Sequence, residues 1–141
     1  MIKLIVGAKG SGKTKEIINQ ANEKIKQTNG DVLFITDIAH YPSIYINPRI
    51  RLINTVSNGM VGEKIFEGAL MGMYSCNYDI TDIFIDGLQR ITCLKIDEMK
   101  AFYDFLEDFS EKTGIDFTIT VSSDTIPDFM NRFSVLRLNR E

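Results

Sequence analysis

Apolar positions along the chain follow two alternating rhythms. Short, β-branched runs bounded by turn residues recur at 1–6, 31–37, 79–86, 117–121 and 133–138. Each has the length and composition of a buried strand. Between them the period changes to that of a helix. Residues 13–28 set Ile17, Ile18, Ala21 and Ile25 on one face and Lys, Glu, Asn and Gln on the other, and Asn29-Gly30 stops the run. Residues 62–74 turn Ile65, Phe66, Ala69, Leu70 and Met73 inward. Residues 96–113 gather Ile96, Met99, Phe102, Tyr103, Leu106 and Phe109 ahead of Gly114, the clearest amphipathic pattern in the chain. Residues 50–56 alternate imperfectly, a short strand at the margin of the pattern. Residues 38–49 carry two of the three prolines and read as a loop, and 124–131, with Pro127, as a turn or short helix.

Strands alternating with helices predict the α/β class: a three-layer αβα sandwich around a mostly parallel, five-stranded sheet. No linker or repeat divides residues 1–141, so one domain is expected. Ligands in such sheets sit at the carboxyl ends of the strands, which puts the loops after residues 6, 37, 86 and 121 on one edge. Gly68 and Gly72, one turn apart on the second helix, are expected to pack closely against a neighbour.

Composition changes this picture little. The 141 residues are 44% hydrophobic and 25% charged, with a net charge of −3. That is an ordinary globular balance, and its sign disfavours nucleic acid as a partner. Cys76 and Cys93 lack metal-ligand spacing and are expected as reduced core residues. His40, the lone histidine, reads as a turn residue. No apolar run spans a bilayer and Ile2–Val6 is too short for a signal peptide, so a cytoplasmic chain without a membrane span is expected.

The chemistry is concentrated at Gly7-Ala-Lys-Gly-Ser-Gly-Lys-Thr14, a full match to G-x-x-x-x-G-K-[ST] directly after a strand and before a helix. Gly7, Gly10 and Gly12 allow backbone conformations that a side chain forbids. Backbone N–H groups and the helix N-terminus then receive phosphate oxygens. Lys13 is expected to reach the β and γ phosphates, and Thr14 to ligate magnesium. Lys9 and Ser11 occupy variable positions, where they either touch phosphate or face water. Ile83-Phe-Ile-Asp86 is an apolar strand ending in an acid, the pattern of a Walker B carboxylate that holds magnesium. Asp82 lies at the start of the same strand, the wrong end of the sheet.

On these two motifs the chain resembles the P-loop NTPase superfamily. Its element order looks most like the RecA-like and thymidine-kinase-like branch, and it is similar to small bacterial proteins described only as ATP-binding. The resemblance implies nucleoside triphosphate and Mg2+ as ligands, with ATP favoured over GTP because no N-K-x-D guanine-reading motif is present. In much of that branch a glutamate follows the Walker B aspartate and polarises the attacking water; here the position is Gly87. Gln89, in a stretch similar to the Asp-Glu-x-Gln of thymidine kinases, and Asp37, at the end of the second strand, are the other candidates for orienting water. Ser122 or Ser123 stands where related proteins sense the γ-phosphate; helix capping with Asp124 is the plainer alternative. Arg132, Arg137 and Arg140 make the C-terminus basic, either as surface charge or as an arginine finger between subunits.

Four functions stay open at this stage. They are a slow ATPase acting on a protein partner or through self-association, a module that binds nucleotide without hydrolysing it, a small nucleoside or metabolite kinase, and a nucleic-acid motor. The kinase lacks the cysteine-based zinc module and arginine-rich lid of its relatives. The motor lacks an aromatic–basic stacking run.

Overall fold

The computed structural model describes residues 1–41 and 43–139. Six strands form one sheet: β1 (Ile2–Gly7), β2 (Asp31–Thr36), β3 (Arg51–Asn54), β4 (Ile80–Asp86), β5 (Asp116–Ser122) and β6 (Ser134–Arg137). Their order is β3-β2-β4-β5-β1-β6, and every pairing is parallel. The expected five-stranded sheet gains β3, the marginal run at 50–56. As an edge strand, β3 buries only part of one face, which is why its alternation is weak in the sequence.

The helices are α1 (Lys13–Gln27), α2 (Glu63–Cys76), α3 (Leu88–Thr92) and α4 (Lys100–Thr113). α1 covers one face, where Ile17, Ile18, Ala21 and Ile25 meet Ile5, Val32, Phe34 and Phe84. Tyr41, Ile46 and Ile50, from the segment after β2, complete that layer. α2, α3 and α4 cover the other face, packing on Leu4, Leu33, Ile35, Ile83, Ile85 and Ile119. The helical pattern at 96–113 divides at Met99, with a 3-10 turn over Ile96–Glu98 before α4 begins.

Several side chains depart from the pattern. Ile65 on α2 is 57% exposed, and of the expected stripe only Phe66 and Leu70 are fully inside. Gly68 and Gly72 have nothing within 4 Å of the place a Cβ would take, so the expected close packing is absent among the described residues. Cys76 and Cys93 are exposed rather than core residues: Cys76 ends α2, and Cys93 stands just past the short α3. No helix among the described residues is long and apolar enough to cross a membrane.

Parallel register brings the carboxyl ends of the central strands level. Gly7 lies opposite Ser122 across β1 and β5, and Thr36 lies opposite Asp86 across β2 and β4. Asp82 sits at the far end of β4, where it is buried and lies 3.9 Å from Lys24.

Candidate nucleotide site

The loop between β1 and α1 is shaped by its glycines. Gly12 has φ 94°, in the left-handed region that a side chain rarely enters. It leads into α1 with no side chain capping the helix. The first N–H groups of a helix have no partner inside it, so those of α1 are available to an anion together with the positive end of the helix dipole. Ser11 N–H donates to Ala8 C=O at 3.1 Å, closing the loop on itself. Lys13 folds inward and donates its ammonium to the same carbonyl at 2.9 Å. Burial lowers the Lys13 pKa; the Asp86 carboxylate opposes that effect and the Arg90 guanidinium adds to it.

Ser11 Oγ is buried without a hydrogen-bond partner among the described residues. An orphaned hydroxyl of this kind costs stability. It fits a loop built to enclose a group rich in acceptor oxygens.

Asp86 is 5% exposed and fully engaged. Its Oδ1 accepts from Thr120 Oγ1 at 2.7 Å. Its Oδ2 accepts from Thr14 Oγ1 at 2.9 Å and from the Tyr41 hydroxyl at 2.9 Å. The Thr14 hydroxyl and the Asp86 carboxylate thus meet across 72 residues of sequence. Two hard oxygen donors in contact at the phosphate loop suit Mg2+, which usually takes one or two protein ligands and completes its shell with phosphate and water. No group of three or more His, Cys, Asp or Glu side chains converges among the described residues, so this is no all-protein metal cage.

A cleft of ≈ 430 Å³ opens over these groups. Its lining brings Lys9, Gly10, Gly12, Lys13, Thr14, Asp86 and Ser122 together with Ile38 and Arg90. Ser122 is the serine of the pair that faces the cleft. Ser123 is tied to the loop, its N–H donating to Gly7 C=O at 3.1 Å and its hydroxyl bonding Thr125 C=O.

Asp37 and Gln89 are placed differently from each other. Gln89 is on α3 but outside the cleft lining. Asp37 stands just past β2 and faces Arg90, which donates Nε to Oδ2 at 2.8 Å and Nη2 to Oδ1 at 2.9 Å. Both residues lie over Gly87, whose φ is 105°. A Cβ on Gly87 would stand 2.5 Å from Arg90 Nη2 and 2.5 Å from Asp37 Oδ1. The position after Asp86 therefore disfavours a glutamate for two reasons: backbone conformation and the ion pair above it, which a side chain there would part.

Arg90 escaped the sequence reading because α3 is too short to display a period. The one available signal was Leu88 and Ile91, apolar at i and i+3 directly after Gly87. Arg132 lies away from the cleft, paired with Asp104 at 2.7 Å and Glu107 at 3.3 Å on α4. Arg137 flanks a separate cleft with Gly7, Ala8 and Asp124. Arg140 falls outside the described residues.

No family model matches the chain, and no curated protein does. Among solved structures it is similar to the flagellar accessory protein FlaH from Methanocaldococcus jannaschii, with a TM-score of 0.66 and 13% identity over 96% of this chain and 70% of that one. At that identity the likeness is one of fold alone.

Proposed function

We propose that this chain binds a nucleoside triphosphate, ATP by preference, with Mg2+, and hydrolyses it slowly. The observation that carries this reading is the contact of Thr14 Oγ1 with Asp86 Oδ2, at 2.9 Å, beside an uncapped helix N-terminus. In this reading the loop N–H groups and Lys13 bind the phosphates, with Lys9 and Ser11 contributing from the loop. Thr14 and Asp86 hold the metal, which supplies charge neutralisation of the phosphate oxygens when bound. Lys13 exchanges the Ala8 carbonyl for a phosphate oxygen, replacing a neutral acceptor by a charged one. Ser122 lies at the cleft rim, where a hydroxyl can donate to the terminal phosphate.

Slow turnover follows from what stands after Asp86. Gly87 supplies no carboxylate, and the two oxygens of Asp37 face a guanidinium rather than the cleft. Gln89 lies outside the cleft lining. The same facts favour a second reading, a module that holds nucleotide without turnover and uses it to set a surface for a protein partner or a second copy.

The test is thermal unfolding with and without ATP, ADP, GTP and Mg2+, on wild type and Lys13→Ala, with released phosphate sampled in the same tubes. A ligand at about a hundred times its dissociation constant adds roughly 2.7 kcal/mol, a shift of several degrees at this size. A Lys13-dependent shift with phosphate release supports the slow hydrolase, and a shift without release selects the binding module. No shift with any nucleotide refutes both.

A further inference from the structure

One cation in the cleft has no part in the reading above. Arg90 lines the same cavity as Lys13, Asp86 and Ser122. Its approach is set by the sheet. In the order β2-β4-β5-β1, the phosphate loop lies after β1, Asp86 ends β4, and Asp37 follows β2. Arg90, clasped to Asp37, therefore meets the cleft from beyond Asp86, on the side away from the loop. A phosphate chain gripped by the loop and directed toward Asp86 would present its last phosphate to that side.

The guanidinium is arranged for a second acceptor. Asp37 takes Nε and Nη2 at 2.8 and 2.9 Å, while Nη1 has no partner among the described hydrogen bonds. An arginine presents its N–H groups as a rigid planar fork, so fixing one edge fixes the direction of the other. The side chain is 53% exposed, and its free edge is open to a ligand. Its field reaches the site: the charge of Arg90 acts on Lys13, and that of Asp86 acts on Arg90.

Stability is not all that the arrangement supplies. With Arg90 53% and Asp37 17% exposed, the bidentate pair contributes on the order of 1 kcal/mol. The pair also occupies the space a side chain at position 87 would fill, so it keeps this geometry only while that position is glycine. A fold that seats an ion pair over a left-handed glycine gains orientation from it as well as stability.

We propose that Arg90 is a ligand of the terminal phosphate, acting within its own chain, and that Asp37 is the positioning residue that aims it. The pair makes the site discriminate triphosphate from diphosphate. This rests on the nucleotide-binding reading and assigns the contact that reads the nucleotide's state.

The experiment is calorimetric titration of wild type, Lys13→Ala, Arg90→Ala and Asp37→Asn with Mg·ADP and with the Mg complex of the β,γ-imido analogue of ATP. A charge-assisted hydrogen bond to phosphate corresponds to roughly tenfold or more in affinity. Arg90→Ala is expected to weaken the analogue by about that factor and ADP by less than about twofold. Asp37→Asn keeps the Arg90 charge but removes the carboxylate that aims it, and is expected to fall between Arg90→Ala and wild type in the ratio of the two affinities. A simple structural ion pair would leave that ratio unchanged. Lys13→Ala is expected to weaken both ligands. If wild type binds and Arg90→Ala leaves the ratio as it was, or weakens both ligands equally, the proposal is overturned while the nucleotide site stands. If wild type binds neither ligand, the nucleotide reading fails and the proposal with it. Unfolding curves without nucleotide, close to wild type for both variants of the pair, confirm that each ratio is read on folded protein.

Discussion

Replacing Gly87 by alanine tests whether the ion pair above it is a fixed part of the site. Two separate costs are expected. A non-glycine residue in the left-handed region costs on the order of 1–2 kcal/mol, and Gly87 has φ 105°. The new methyl would also stand 2.5 Å from both Arg90 Nη2 and Asp37 Oδ1. Those atoms end movable side chains, so the clash is relieved by parting the pair, at a cost of about 1 kcal/mol. The sum is roughly 2–3 kcal/mol. Gly114 is the internal control: its φ is 76°, and nothing lies within 4 Å of its would-be Cβ, so Gly114→Ala carries the backbone cost alone. Unfolding entropy at about 2.1 cal/mol/K per residue makes 1 kcal/mol worth roughly 3–4 °C here. Gly87→Ala should therefore melt about 3–4 °C below Gly114→Ala. In an Arg90→Ala background the excess should vanish, because there is no pair left to part and Asp37, no longer clasped, is free to swing clear of the methyl. Equal melting temperatures for the two single variants, or an excess that survives Arg90→Ala, would refute the reasoning.

Other expectations follow from burial and charge. Leu70→Ala, at a fully buried position on α2, should cost about 2–5 kcal/mol, whereas Ile65→Ala on the exposed face of the same helix should stay within about 0.5 kcal/mol; denaturant midpoints separate them. The Tyr41 pKa is raised, first by burial and then by the charge and hydrogen bond of Asp86. A raised folded pKa gives stability that is complete below the unfolded tyrosine value, about pH 10, and is lost as pH rises beyond it toward the folded value. Stability measured across the range from about pH 8 to 11 should thus fall less steeply in Tyr41→Phe than in wild type, and identical slopes would count against the contact. The Asp82 pKa is also raised, with burial the leading cause, so its ionised form opposes folding at neutral pH. Asp82→Asn should raise the melting temperature at pH 7, and the gain should disappear in acid, where wild-type Asp82 is protonated; a variant less stable at pH 7 would show that Lys24 outweighs the burial.

Local features were legible from the sequence because each is written within a few neighbouring residues. The phosphate loop is contiguous, and the apolar run ending at Asp86 is continuous because β4 is buried on both faces. What escaped was non-local or too short. Arg90 and Asp37 are 53 residues apart, and no periodicity links them. The five residues of α3 do not complete two turns. Tyr41 fell within an expected loop, yet it reaches a buried carboxylate 45 residues away. Position 87 was visible as a missing glutamate, but the reason for the glycine lies in its φ and in the side chains folded over it. On α2 the apolar stripe was wider than the buried one, since a sequence pattern does not tell which apolar residue the sheet reaches.

The Tyr41 hydroxyl and the Thr14 hydroxyl share one oxygen of Asp86. This makes the segment after β2 and the mouth of the phosphate loop parties to a single equilibrium. Whatever draws Tyr41 away leaves Oδ2 with one proton fewer to satisfy it and more ready for a cation. Whatever engages Oδ2 loosens Tyr41 in return, and thermodynamic reciprocity requires the two effects to be of equal size. The segment carrying Tyr41 is also exposed at Ile44 and Tyr45. On the proposed reading, a cation at Oδ2 would thereby act on the segment that carries this outer surface through one carboxylate oxygen.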